Sequence, residues 1–309
     1  MKNTSEKKQQ FLSTLLGERT VEKTAGISFS AAVLLPTLLA LVLIVIGGAF
    51  GLFQEGFEGA ECYRYFNFLL PQISYALVVW LFLYLSRLPI KELTGKPSLK
   101  YFVLALLLQF GLFSLSELNV LFIEFLESLG YENTPLQLPS LDGFGLFGVL
   151  LTVAVLPAVF EELVFRGIVL RGVKPFGSAL SVLLCGALFS LFHQNPAQTV
   201  YQFFCGCAFA LLALRAGSVF PAMLAHFLNN AVIILFAKFG ALVLPTPVSV
   251  ALFVASCIGL VGALTYLIFF DKNGKTEKEK PRGLQFLLFA SIGVVICVVS
   301  WIANLFGGV

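Results

Sequence analysis

The chain carries 309 residues, 58% of them hydrophobic and only 12% charged, with 33 Phe. Soluble globular chains carry about 25% charged residues, so a water-soluble fold of this length is excluded. The balance of 20 Lys and Arg against 17 Asp and Glu leaves +3, with no basic tract in the body of the chain, which excludes a nucleic-acid partner. The composition predicts an all-α, polytopic bundle of transmembrane helices.

Crossing the hydrocarbon takes about 20 apolar residues. In chain order, the segments that approach this length are 27–53, 66–86, 99–123, 144–170, 178–194, 197–214, 218–238, 248–270 and 284–306. Residues 1–26 are polar and include Lys2, Lys7, Lys8, Arg19 and Lys23. A full-length span follows with no small-residue cleavage pattern, which predicts a signal anchor behind a cytoplasmic N-terminal segment. Residues 27–143 and 241–309 are then the N- and C-terminal transmembrane helices, and 144–240 is the core between them. Segments 178–194 and 197–214 are short and separated only by Gln194-Asn195-Pro196. They form either two spans or one broken hairpin, so eight to nine spans are expected.

Lys and Arg between spans set the orientation. With each cation assigned to its nearest connecting segment, 18 of the 20 fall on the side of the N-terminus, which places that side in the cytoplasm. The connector 124–143 holds Glu124, Glu127, Glu132 and Asp142 without Lys or Arg, as an outer loop does. Connector 271–283 is expected to be a solvated cytoplasmic loop, with anionic lipid headgroups as its alternative partners. Five of the six cysteines lie in apolar stretches and only Cys62 in a polar one, so no disulfide framework is expected. Cys205 and Cys207 would point about 200° apart on a helix, which suits small apolar fillers rather than a metal pair.

An ionisable residue inside a span costs about 2.5–3.5 kcal/mol on insertion scales and is functional by default. Segment 144–170 carries Glu161, Glu162 and Arg166. Glu162 and Arg166 are i,i+4 and can pair, whereas Glu161 lies about 100° round the helix. The only two histidines, His193 and His226, both fall in apolar segments. His193 shares a helix face with Phe189, and His226 with Asn230. At about 1.5 Å per residue, Glu161, His226, His193 and Asn230 lie about 15, 16, 22 and 22 Å from the cytoplasmic ends of their spans. This predicts one polar cavity, part-way into the bilayer and open to the cytoplasm.

Glu161-Glu162-x-x-x-Arg166, Phe189-x-x-x-His193 and His226-x-x-x-Asn230 occur in this order on successive helices, with Gly167 after the Arg. Together they resemble the CAAX protease and bacteriocin-processing (CPBP, or Abi) family of intramembrane endopeptidases, which includes the type II CAAX prenyl endopeptidases. The resemblance covers about residues 146–240. It implies hydrolysis of a peptide bond near the C-terminus of a prenylated CAAX-type or other membrane-associated peptide, and a bacterial plasma membrane as the location. The expected partners are a peptide or lipidated-protein substrate and membrane lipids; oligomeric state is left open.

Peptide hydrolysis needs an activated water, an oxyanion stabiliser and a proton for the leaving amine. Glu161 and His193 are the natural pair to polarise a water, and His226 and Asn230 can donate to the oxyanion. Glu162 and Arg166 are supporting residues, with Arg166 also able to meet a substrate carboxylate. No cofactor is expected on this reading. Alternatively, Glu161, His193 and His226 form a His₂Glu set for a divalent metal such as zinc. Two other functions compete: a non-catalytic bacteriocin-immunity or scaffold protein, and a transporter. A transporter often shows inverted repeats, and the sequence has none.

Overall fold

The computed structural model describes residues 20–50, 61–133, 137–240, 244–274 and 280–307. Residues 1–19 of the N-terminal segment and 275–279 of connector 271–283 lie outside the described residues. Among the described residues, eight helices are long and apolar enough to cross a membrane. They are α1 (Val21–Ala49), α2 (Glu61–Ser86), α3 (Leu99–Ser128), α4 (Gly145–Phe176), α6 (Pro196–Ala216), α7 (Phe220–Phe239), α8 (Thr246–Phe270) and α9 (Arg282–Gly307). Between α4 and α6 lies a shorter apolar helix, α5 (Ser178–Phe192). The protein is a multi-pass, all-helical membrane protein.

Helix α1 begins six residues before the apolar run suggests. Thr20 caps it, its side chain accepting a hydrogen bond from the backbone N–H of Lys23 at 3.2 Å. One orphan donor of the first turn is thereby satisfied, so the charged residues Glu22 and Lys23 can enter the helix. Many large apolar side chains on the rim face outward, among them Ile44, Val45, Ile258, Val261, Ile292 and Val299. They clothe the bundle where lipid replaces water.

Helix α4 runs through the middle, with α1, α2, α5, α6 and α7 against it. All of Leu163–Val169 is buried. Beside it, α5 and α6 pack at small residues: a Cβ on Gly206 would sit 2.8 Å from the Cα of Gly186. Close approach through such residues is how helices associate where no hydrophobic force drives them together.

The connecting segments gather at two ends. At one end, the backbone N–H of Val219 donates to Thr94 at 3.0 Å, and Arg215 donates to the carbonyls of Leu267 and Asn273. Lys100 pairs with Asp271 at 3.2 Å, and Arg171 bonds the carbonyl of Glu92. A Cβ on Gly95 (φ 70°) would fall 1.9 Å from the Gly217 carbonyl oxygen, so this junction requires glycine. Most of the cationic residues lie here. At the opposite end, Arg64 donates to the carbonyl of Leu138, Glu61 accepts from the backbone of Ser140, and Lys238 pairs with Asp142 at 2.6 Å.

Helix α5 starts at the cation-rich end, where the Ser181 hydroxyl donates to Val173. Its 15 residues reach only about 22 Å, short of the roughly 30 Å hydrocarbon. After this helix, toward the cation-poor end, the chain turns back, with Gln194 at φ 52°. This turn is pinned from several sides. The Tyr131 hydroxyl donates to Asn195, the Asn119 amide to Ala197, and the Asn304 amide to Gln194. Of the two arrangements open for 178–194 and 197–214, the structure has a helical hairpin with a shorter first arm, α5, and a span-length second arm, α6.

Candidate active site

That turn forms one wall of a cavity of about 640 Å³. Glu161, His193, His226 and Asn230 all line it. Glu161 comes from α4, His193 from the end of α5, and His226 and Asn230 from one face of α7. The Glu161 carboxylate makes no hydrogen bond to any described residue, whereas its neighbours are all held.

His193 Nδ1 lies 2.8 Å from the carbonyl oxygen of Phe189. A carbonyl only accepts, so Nδ1 carries the proton and Nε2 is left for the cavity. His226 is fixed in the same way from another direction, with Nδ1 2.8 Å from Oε1 of Glu162. Phe189 sits between the two imidazoles, edge-on to His193 at 4.8 Å and to His226 at 5.9 Å. The i,i+4 spacing of Phe189 and His193 thus does two jobs: its carbonyl sets the tautomer of one histidine, and its ring packs against both.

Glu162 and Arg166 stand behind the cavity wall. Their ion pair at 2.8 Å has both side chains fully buried. The guanidinium also donates to the carbonyl of Gly206 at 3.3 Å and lies 4.4 Å from the ring centre of Phe189 and 5.3 Å from that of Phe209. Aromatic faces attract a cation placed this way. Arg166 therefore does not reach the cavity, and the expectation that it meets a substrate carboxylate there is corrected. Its i,i+4 partner and the aromatic box hold it inward.

Asn230 is placed by a proline. Pro157 has no N–H, so the carbonyl of Val153, four residues earlier on α4, loses its helical partner. The helix widens into a π-helical stretch at Leu150–Val155, and Asn230 Nδ2 donates to the Val153 oxygen at 2.9 Å. A second N–H on the same nitrogen remains. Asn230 Oδ1 accepts from Asn229 Nδ2 at 3.1 Å. Asn229 Oδ1 in turn accepts from the Tyr201 hydroxyl at 2.8 Å and from Gln109 Nε2 at 3.0 Å. Sequence reasoning missed Asn229, Tyr201 and Gln109. The available signal was Gln109, a buried amide in an otherwise apolar run.

The cavity mouth is not where the depth argument places it. The lining runs from Glu161 and His226 to Asn67, Leu138 and Gln198, which belong to the cation-poor end. Toward the cation-rich end the way is closed by Leu163, Val164, Ile168 and Leu93, all buried, with Gly167 packed on Leu93. A separate hollow of about 160 Å³ at that end touches Arg166 but none of the four cavity residues. Depth was counted from one end of each span, and that count does not say which end is open.

Among the described residues, no three His, Cys, Asp or Glu side chains are grouped so as to hold a metal ion. The His₂Glu set does not fit a preformed metal site. All six cysteines are unpaired, and of these only Cys62 is exposed.

With this geometry in view, the comparison with known families is specific. Residues 143–232 match the Rce1-like family model, type II CAAX prenyl endopeptidase Rce1-like. The matched stretch holds all three motifs and supports a protease. It covers less than a third of the chain, and α1, α2, α3, α8 and α9 lie outside it. No curated protein and no solved structure matches the chain.

Proposed function

We propose that the protein is an intramembrane endopeptidase that hydrolyses a membrane-associated peptide with water activated by Glu161. The carrying observation is that Glu161, whose carboxylate has no hydrogen bond to any described residue, shares a cavity with both histidines and Asn230. In the proposed step, Glu161 takes a proton from a water oriented by His193 Nε2, and the oxygen attacks the peptide carbonyl. The resulting oxyanion is held by the remaining N–H of Asn230, with His226 beside it. Glu161 then returns the proton to the leaving amine as the C–N bond breaks. Glu162 and Arg166 are positioning residues: they fix the plane of the His226 ring. The chemistry requires no metal.

The second reading, a bacteriocin-immunity or scaffold protein with the same motifs, needs no proton transfer. The two separate on one comparison. Wild type and Glu161→Gln are each expressed in the same cells, and membrane peptides are profiled by mass spectrometry. The protease reading expects intact precursors to accumulate with Glu161→Gln and their fragments to vanish. Identical profiles, with any protective phenotype retained, would favour the immunity reading.

A further inference from the structure

The cavity and the cations lie at opposite ends of the bundle. From Glu161 and His226 the cavity leads past Tyr201 to Asn67, Leu138 and Gln198. In the whole sequence only Arg64 and Lys238 are assigned to that end, and the other 18 of 20 cations to the opposite side. Both exceptions are engaged, Arg64 with Leu138 and Lys238 with Asp142. Lys- and Arg-rich connectors stay in the cytoplasm on insertion.

The lining has its own chemistry. Besides Glu161 and the histidines it is lined by the amides Asn67, Gln72, Gln198 and Gln202 among apolar residues such as Phe68, Phe192 and Ile233, and contains no Lys or Arg. Amide side chains offer a donor and an acceptor together, the complement of a peptide backbone. The cavity therefore offers no guanidinium or ammonium to pair with a terminal carboxylate.

We infer that the cavity opens to the extracytoplasmic side, and that its substrate is an interior stretch of a peptide already translocated there, held through its backbone. The substrate rests on the peptidase reading above; the side of opening does not. A cytoplasmic C-terminal tail would meet the sealed end, whereas a secreted or exported precursor would meet the mouth.

Cys62 is a natural probe, since it is exposed at the mouth end. A membrane-impermeant maleimide should label it in intact cells, and the signal should vanish in Cys62→Ser. In that background, Lys96→Cys, at the sealed end, should be labelled only in inverted vesicles. The opposite pattern overturns the inference. A peptide substrate taken from the precursor profile should be cut by right-side-out vesicles and not by inverted ones. Amidating its C-terminus should leave the rate unchanged, and a rate that depends on the free carboxylate would overturn the backbone-held mode. Expected labelling without cleavage from either side would overturn the peptidase reading, and the substrate with it, while leaving the orientation standing.

Discussion

Arg166 and His226 meet at a single atom: Nη1 of the one and Nδ1 of the other each lie 2.8 Å from Oε1 of Glu162. The carboxylate therefore neutralises a buried guanidinium and orients an imidazole at once. Removing its charge strands Arg166 among Phe189, Phe209 and Phe165, at a cost of about 3–5 kcal/mol. Glu162→Gln should lower stability by that order in detergent unfolding and lower turnover as well. Replacing both partners with apolar residues, Glu162→Leu with Arg166→Met, should recover much of the stability and none of the turnover. If both recover together, Glu162 has no part in positioning His226.

Glu161 has a different signature, because no described residue is hydrogen-bonded to its carboxylate. Glu161→Gln should leave the unfolding midpoint within about 0.5 kcal/mol of wild type while cleavage falls about 10²–10⁴-fold. Peptide binding, measured by fluorescence anisotropy, should persist. A parallel loss of binding would assign the carboxylate to recognition instead.

Asn230 is expected to act on both stability and rate, and Pro157 separates the two. Asn230→Ala uncovers the Val153 carbonyl, costing about 1–3 kcal/mol, and removes an oxyanion donor, costing about 10²–10³-fold in rate. In a Pro157→Ala background, the new N–H can bond that carbonyl within the helix. There the stability cost of Asn230→Ala should shrink and the rate cost should not. A double-mutant cycle on unfolding and on turnover reads both.

Chelation addresses the His₂Glu alternative directly. Strong chelators should leave cleavage unchanged, and added zinc should not raise it. Loss in chelator with recovery on zinc would make Glu161, His193 and His226 ligands and retire the glutamate mechanism.

Acid should loosen the sealed end. Burial raises the Asp271 carboxyl, but the Asn273 backbone N–H, the Tyr101 hydroxyl and the Lys100 ammonium outweigh it and hold the group below its usual range. The ionised form is thus favoured by folding. Its contribution is present above about pH 4, near the unfolded value, and is lost as pH falls through the lower folded one. Asp271→Asn should flatten the dependence of stability on pH between about pH 5 and 2, measured by thermal unfolding in detergent.

The three motifs were legible because each pairs residues one helical turn apart, a relation that survives any packing. Glu162–Arg166 formed the expected pair, and Glu161 pointed elsewhere, as its angular offset requires. Span positions were legible from apolar length, apart from ends set by polar caps such as Thr20. What could not be read were relations between helices. Asn229 reaches Tyr201 and Gln109 across α7, α6 and α3, and no spacing within one helix encodes that. The side on which the cavity opens is a relation of the same kind: it depends on where α5 ends and on what fills the space beyond Glu162.

Helix α4 holds its two glutamates on a short α-helical piece, Leu156–Glu162, between π-helical stretches at Leu150–Val155 and Leu163–Val169. Each wide turn absorbs about one extra residue, and one residue is about 100° of rotation. The turn that carries Glu161 and Glu162 is therefore set apart from the helix above and below it, like a dial between two slip joints. Deleting one residue from Leu150–Val155 would let that stretch wind as a regular α-helix while both flanks, and the bearing of Glu161 on the cavity, stayed nearly unchanged. The same deletion placed between Glu161 and Arg166 would break the shared oxygen on which the buried charges depend.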